Sequence, residues 1–221
     1  MVYRRTERVE ARLADNRARI LRTAHKLVVE GGFRNAQVGN VAAACGVATG
    51  SIYRYFPSRA DLLAEVFRNA SQHEVDVVGA VARAPGTPRE RLCSSVETFV
   101  RRAIRGRRLA WALIAEPIDP AVEAERLRYR RAYAEQLSLV VRAALKEKAC
   151  PRQDAEVTAA CLVGLLAEPL VGPLAPDQPT LDEREDELVR AIVESAERMV
   201  FGTLARSTDE KPQSSGKRSA R

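Results

Sequence analysis

A short run of hydrogen-bonding and cationic side chains lies between residues 49 and 56. If this run is one short helix, Ile52 and Phe56 turn inward and the polar side chains face the other way. The outward residues are Thr49, Gly50, Ser51, Tyr53, Arg54 and Tyr55. Hydroxyl and guanidinium groups arranged in this way can bind base edges and phosphates in the major groove of DNA. The segment therefore predicts recognition of double-stranded DNA.

Two short helices joined by a glycine turn would hold that face outward. The spacing predicts one helix from about Gln37 to Cys45 and a second helix from Thr49 to Phe56. Ala42 is the small residue needed where the two helices cross, and Gly46 permits the left-handed turn that ends the first helix. The pattern is that of a helix-turn-helix, and any small helical hairpin can imitate it.

Longer helices are predicted on both sides of this motif. From Asn16 onward, apolar residues recur on one side of a helix until Gly31 and Gly32 end it. After the motif, Ser58 and Asp61 form a capping pattern that begins a further helix. The motif is therefore expected inside a small helical domain.

The rest of the chain also reads as helices. The run Thr87-Pro88-Arg89-Glu90 combines a cap, a first-turn proline and a reciprocal acid, Asp119-Pro120 opens another helix, and Thr180 with Glu183 caps a third. The segment 157–170 is apolar on nearly every side, so we expect it to be buried against more than one neighbour. No β alternation is evident in the sequence, and the predicted fold class is all-α.

The charge is distributed unevenly along the chain. Residues 1–83 hold 13 Lys and Arg against 8 Asp and Glu, whereas residues 84–205 hold 18 against 19. A basic amino-terminal segment on a neutral body is what a polyanion-binding module attached to another domain requires. Most of the 36 cations are arginine, however, and GC-rich coding also produces an arginine-rich chain. Charge alone therefore leaves DNA binding as one of two explanations.

Composition also narrows the function class. The four cysteines match no zinc or redox spacing, so we expect buried, reduced thiols, and with two histidines we expect neither a metal site nor a cofactor. The start of the chain lacks the apolar core of a secretory signal, and no uncharged apolar run reaches bilayer length. The sequence predicts a cytoplasmic protein with no membrane partner.

The stretch from residue 16 to residue 67 resembles the amino-terminal DNA-binding domain of the TetR family of bacterial transcriptional regulators. The resemblance is strongest in GVATGSIYRYFPSRADLL, residues 46–63. It implies a homodimer with a three-helix DNA-binding head and a carboxy-terminal body that dimerises and binds a small molecule. It also implies a repressor that the ligand releases by changing the separation of two heads, which must span major grooves about 34 Å apart.

The resemblance assigns roles to the outward residues. Thr49, Ser51 and Arg54 are expected at base edges, and Tyr53 and Tyr55 at phosphates. Tyr53 has the alternative of packing beneath the head, because a helical tyrosine is amphipathic.

Two flanking residues complete the predicted DNA contacts. Gln37 is expected to contact backbone or bases at the start of the preceding helix. Arg59 stands where the family more often has lysine and is expected to supply a phosphate cation. The family often has threonines where Ala36 and Gln37 stand and a serine where Ala48 stands, which weakens the contacts inferred there.

For the body, the resemblance implies a ligand pocket and a dimer interface. The pocket is expected among helices that carry Phe99, Trp111, Tyr129 and Tyr133, although such aromatics are more often core residues, and the ligand is expected to be largely apolar. Glu168 needs a partner, for which Arg102 and Arg130 are candidates. The interface is expected to involve Cys161, Gly164, Leu165, Leu188, Ile192 and Met199.

The predicted organisation has four parts. They are a flexible basic arm (1–14), a helix-turn-helix domain with its connecting fourth helix (15–83), a ligand-binding and dimerisation domain (84–205) and a disordered tail (206–221). The arginines of the arm, at positions 4, 5, 8 and 12, are either solvated or inserted in a minor groove.

The sequence leaves several alternative functions open. A transcriptional activator, a ligand-independent DNA binder and a general architectural DNA binder are the alternatives among DNA-binding proteins. An enzyme is more distant, because the sequence has no Gly-rich phosphate loop, no G-x-S-x-G and no metal-ligand cluster.

Overall fold

The computed structural model describes residues 7–178 and 184–202, and every regular element within those residues is an α-helix. This confirms the all-α prediction. The helices are α1 (Glu7–Gly31), α2 (Val38–Cys45), α3 (Thr49–Tyr53), α4 (Arg59–Ala82), α5 (Pro88–Arg105), α6 (Arg107–Ile114), α7 (Pro120–Lys146), α8 (Ala155–Leu174) and α9 (Glu185–Phe201).

The head consists of α1, α2 and α3 packed against the first half of α4. Its core includes Ile20 and Val28 of α1, Ile52 of α3 and Phe67 of α4, each at most 2% exposed. Gly46 ends α2 with φ of 66°, and its backbone N–H donates to the carbonyls of the last turn, as predicted. A left-handed residue at this point turns the chain sharply enough for α3 to cross α2.

The predicted helix starts at residues 58 and 87 are also present. The Ser58 side chain accepts a hydrogen bond from the Asp61 N–H at 3.1 Å. Thr87 and Glu90 form a complete capping box with proline at the first helical position of α5. Such caps satisfy N–H groups that the helix leaves free and contribute about 1 kcal/mol each. The cap predicted at Thr180 and Glu183 lies outside the described residues.

The first helix begins earlier than its apolar pattern predicted. It starts at Glu7, so residues 7–14 are helical and the predicted flexible arm is wrong over this segment. Residues 8–12 are exposed, which explains why no apolar stripe marks them. The segment is instead rich in Glu, Arg and Ala, which favour helix on their own. Residues 1–6 and the predicted tail lie outside the described residues.

The body consists of α5 to α9, and α8 contributes its inner side to the body core. By length and composition α8 could cross a bilayer, and no other helix in the described ranges could. Its inner side, which includes Leu162, Leu166 and Leu170, is at most 1% exposed in the body core. Its outer side is exposed to solvent, and Val157 on that side is 61% exposed. The predicted burial against more than one neighbour is confirmed, because α8 packs against α5, α6, α7 and α9, while its outer side stays uncovered within one protomer.

The cysteines differ in their surroundings. All four are free, but only Cys45 is buried; Cys93 and Cys150 are half-buried and Cys161 is exposed on α8. Buried thiols were therefore predicted correctly only for Cys45.

Candidate DNA-binding surface and ligand cavity

Two buried apolar residues fix the orientation of α3, so that its opposite face points outward. Ile52 is 1% exposed and Phe56 is 2% exposed, and both belong to the head core. Tyr53 is 48% exposed and Arg54 is exposed beside it, so the alternative in which Tyr53 packs beneath the head is wrong. Tyr55 is half-buried against the core. Thr49 and Gly50 are exposed, and Ser51 is half-buried.

The start of α2 carries a further predicted DNA contact, Gln37. Gln37 is the N-cap residue and is exposed, and its side-chain amide donates to the Arg34 carbonyl at 3.0 Å. Neither Gln37 nor Ala48, the N-cap of α3, makes a side-chain cap hydrogen bond. The backbone N–H groups that begin these two short helices are therefore without a side-chain cap.

Arg59 does not face outward with the other predicted DNA contacts. Its guanidinium pairs with Asp119 at 2.7 Å and donates to the Phe33 carbonyl at 3.1 Å. Asp119 is the N-cap residue of α7, so Arg59 joins the head to the body. The structure does not support the predicted phosphate-binding role of Arg59, because Asp119 already neutralises its charge; the sequence gives no sign of this partner, which lies 60 positions away.

A row of arginines follows the exposed side of α1. At 100° per residue, Arg8, Arg12, Arg19 and Arg22 fall within a narrow sector of the helix, which also contains Asp15, and all four are exposed. We call these four residues the α1 stripe. Arg19 donates to the Cys45 carbonyl at 3.2 Å, at the end of α2. The stripe therefore runs from the helix-turn-helix toward the amino terminus.

A cavity of about 120 Å³ lies between α4 and four helices of the body, α5, α6, α7 and α8. Three of the four predicted pocket aromatics line it: Phe99, Tyr129 and Tyr133. The Phe99 and Tyr133 rings meet edge to face with centroids 5.4 Å apart. Trp111 does not line the cavity; it packs against the body core from α6, so this part of the pocket prediction is wrong.

Several polar groups also face the cavity. Glu74 and Arg102 form a paired contact, with N–O distances of 2.6 and 2.7 Å. Burial raises the pKa of the Tyr133 hydroxyl, which therefore stays neutral and can donate a hydrogen bond. Arg130 lines the cavity as an exposed residue and forms no ion pair within the described part of the chain.

A carboxylate from the body is inserted into the head. Glu116 is 1% exposed and accepts hydrogen bonds from the backbone N–H groups of Phe33 (2.8 Å) and Arg34 (3.1 Å). Gly32 makes room for it: φ is 74°, and a Cβ at this position would lie 2.6 Å from the carboxylate. The turn between α1 and α2 is thus fixed by a residue that follows α6.

Arg126 connects this carboxylate to the cavity, which it lines. Its guanidinium donates to the carbonyls of Leu113 (2.9 Å), Ala112 (3.2 Å) and Glu116 (2.7 Å). Burial is the main factor that lowers its pKa. A continuous path of hydrogen bonds therefore runs from the cavity wall through Arg126 and Glu116 to the head. Sequence analysis missed both residues, because most of their partners are backbone groups.

The predicted interface residues do not share one environment. Cys161 and Gly164 are exposed on α8, Met199 is 39% exposed on α9, and Leu165 and Leu188 are half-buried.

Two expectations about these helices are corrected. Ile192 is 4% exposed in the protomer's own core, because α9 turns the line of Val189, Ile192, Ala196 and Val200 inward. Glu168 is exposed, and Arg102, one of its two candidate partners, pairs with Glu74.

Comparison with known proteins agrees with this geometry. Residues 20–66 match the family of bacterial regulatory proteins, tetR family. The amino-terminal domain of this chain belongs to the TetR family. The matched residues run from the core of α1 to the first turns of α4, and they include the whole helix-turn-helix.

Two curated proteins are similar over part of the chain. The HTH-type transcriptional repressor KstR of Mycolicibacterium smegmatis is 35% identical over 78 residues, which are 35% of this chain and 38% of KstR. The fatty acid metabolism regulator protein of Bacillus subtilis is 29% identical over 73 residues, 33% of this chain and 38% of that protein. The matched part therefore spans well under half the length of either relative.

Solved structures match the fold over most of the chain. FadR from Bacillus subtilis, in complex with stearoyl-CoA, has a TM-score of 0.67 at 18% identity and covers 85% of this chain and 99% of FadR. A TetR/AcrR-family regulator from Thermobifida fusca YX-ER1 has a TM-score of 0.63 at 23% identity, covering 81% and 97%. Head and body together thus have the fold of TetR-family regulators.

Proposed function

We propose that this protein is a sequence-specific transcriptional regulator, a repressor that a small molecule releases from a palindromic operator. The observation that carries the proposal is the outer face of α3, anchored by Ile52 and Phe56 within a TetR-family head. Thr49, Ser51 and Arg54 read base edges. The remaining contacts to the DNA backbone come from Gly50, Tyr53, Tyr55 and Gln37.

The proposed working unit is a cytoplasmic homodimer. The exposed side of α8 and the adjoining side of α9 supply the interface, and the exposed apolar side chains of Val157 and Met199 support this assignment. Cys161, Gly164, Leu165 and Leu188 lie on the same two helices. Pairing of two bodies gives two heads, which bind half-sites about one turn of DNA apart.

Release by ligand runs through the path from Arg126 to Glu116. The cavity is smaller than an engineered cavity of about 150 Å³ that holds benzene, so a larger effector must push its walls apart. Residues of α6 form part of those walls, and Arg126 binds the carbonyls at the end of α6. Displacement of α6 therefore moves Glu116, which holds the turn between α1 and α2.

The proposal assigns a separate function to each of the two domains. Residues 15–83 form the DNA-binding domain with its connecting helix, and residues 84–205 form the ligand-binding and dimerisation domain. The similar proteins are regulators, and one of them is a repressor. The proposal assigns no reaction, cofactor or metal to the chain.

Selection of DNA by the full-length protein tests this proposal. Duplexes that survive repeated binding from a random-sequence pool should converge on a palindrome with half-sites about 10 base pairs apart, and footprinting should show discrete protection. Arg54→Ala should lose this selectivity, whereas Arg131→Ala, an exposed arginine on α7, should keep it. A pool that remains random, or diffuse protection, would overturn the proposal.

A further inference from the structure

We propose that the effector is an amphipathic anion whose negative group binds Arg130 at the cavity. The inference deepens the proposed function and rests on it, since it names the ligand class of the same site. It starts from the charges that line the cavity. Three arginines, Arg102, Arg126 and Arg130, face one carboxylate, that of Glu74.

Two of these arginines are already occupied. Arg102 is paired with Glu74 through two hydrogen bonds. Arg126 is half-buried, donates to three backbone carbonyls and pairs with Glu123. Arg130 has no acidic partner in the part of the chain that the structure describes. The cavity therefore carries one cation that nothing within the described protomer neutralises.

The other walls of the cavity are apolar. Phe99, Leu113, Ile114 and Leu166 line it together with the buried faces of the two tyrosines. A wholly apolar ligand would gain nothing from the charge of Arg130, and a cationic ligand would be repelled by it. A ligand with an apolar chain and an anionic end complements both the apolar walls and Arg130. The largely apolar ligand that the sequence predicts thereby acquires a charged end.

The position of Arg130 also connects ligand charge to the release path. Arg126 and Arg130 are four residues apart on α7, so they are neighbours on one face of the helix and repel each other. The charge of Arg130 contributes to the lowered pKa of Arg126. An anion bound at Arg130 removes this repulsion and offers Arg126 a charged acceptor in place of the carbonyls of α6. Ligand charge thereby loosens the contact that holds Glu116.

Matched ligand pairs test the inference without DNA. Hexanoate, dodecanoate and octadecanoate are each compared with the alcohol of the same chain length, by titration calorimetry and by the fluorescence of Trp111, the single tryptophan, on α6. At least one carboxylate should bind about 10- to 100-fold more tightly than its alcohol, as a charge-assisted hydrogen bond implies. The corresponding acyl-CoA thioesters form a second arm, which separates a phosphate anion from a carboxylate.

Variants assign the preference to one side chain. Arg130→Gln should reduce the preference for the anion to about twofold or less. Arg130→Lys, which keeps the positive charge, should retain most of the preference. Arg131→Gln changes the adjacent exposed arginine and should leave the preference unchanged. Denaturation curves establish that each variant is folded. Equal binding of acids and alcohols, no binding of any anion, or a preference that survives in Arg130→Gln would overturn the inference. Because no DNA is present, these outcomes are separate from a failure of operator selection.

Discussion

The predicted DNA-facing surface of the head and the contacts between head and body use arginine in opposite ways. In the head, Arg8, Arg12 and Arg54 are exposed and form no ion pair within the described residues. In the body and at its junction with the head, Arg102 and Arg126 are engaged by carboxylates or carbonyls. Free cations suit a surface that must meet phosphates, whereas engaged cations fix helices to one another.

The difference separates the arginines that can bind DNA from those that hold the head against the body. Arg59 is the residue that crosses the boundary: it begins α4, next to the recognition helix, yet its partners are Asp119 and the Phe33 carbonyl. Together with Glu116, it ties the turn between α1 and α2 to the body. The proposed release of DNA by the ligand therefore depends on these contacts.

The largest effect is expected from substitutions on the exposed side of α8 and α9, which is the proposed dimer interface. The double variant Leu188→Asp, Met199→Asp should be monomeric in ultracentrifugation and should bind its selected operator about 100- to 10,000-fold more weakly, because the two heads no longer act together. Leu127→Asp, an equally drastic change at a residue 52% exposed on α7, is the control.

Ile192→Asp sharpens this test. Ile192 is in the protomer core, so an aspartate there should unfold the protein rather than only separate the subunits. A folded monomer from Ile192→Asp, or an intact dimer from the double variant, would contradict the assignment of the two faces of α9.

The next largest effect is expected at the junction. Glu116→Ala leaves the buried N–H groups of Phe33 and Arg34 without an acceptor and should lower the free energy of unfolding by about 2–4 kcal/mol in urea titrations. Glu116→Gln keeps one acceptor oxygen and should lose less. Glu135→Ala, at an exposed glutamate of α7, should change stability little. Unchanged stability of Glu116→Ala would show that the junction contributes nothing to the fold.

The head was largely predictable from sequence, and the junction was not. The turn at Gly46 and the caps at Ser58 and Thr87 are local, since each depends on residues within a few positions. The contact between Glu116 and Phe33 joins residues 83 positions apart, and one partner is a backbone amide that any residue supplies. Short helices such as α6, which follows a single glycine, also leave little periodicity to detect.

Ile192 shows a different limit of sequence reasoning. Two neighbouring apolar lines run along α9, and periodicity gives no reason to prefer either as the inward one. Only the packing of α9 against the body decides that Ile192 faces the core.

A moderate effect is expected from the recognition helix. Arg54→Ala should weaken operator binding by about 1–3 kcal/mol and relax the base preference at one position of each half-site, if a guanine is the partner. Binding titrations on the selected operator and on single-base variants measure both quantities. Affinity and preference equal to those of the unmodified protein would refute the assignment of Arg54.

The smallest effect is expected from the α1 stripe. Because α1 is helical here and a helix is about 10–12 Å wide, the helix itself does not fit a minor groove about 6 Å wide, and we expect the stripe to contact phosphates. The double variant Arg8→Ala, Arg12→Ala should therefore reduce the slope of log K against log salt by about 0.9 for each phosphate that the protein no longer neutralises, with no change in base preference.

Exposed arginines of the body provide the control for this measurement. Arg131→Ala with Arg152→Ala removes the same charge from sites far along the chain from the head, so the net charge is matched. If both double variants reduce the slope equally, the effect is one of overall charge and the stripe makes no contact. If the Arg8 and Arg12 variant instead changes the preference for A·T pairs, these arginines reach into the minor groove, which is the alternative that the sequence leaves open. A reduced slope with unchanged preference, in the stripe variant alone, is what a helix lying across phosphates requires.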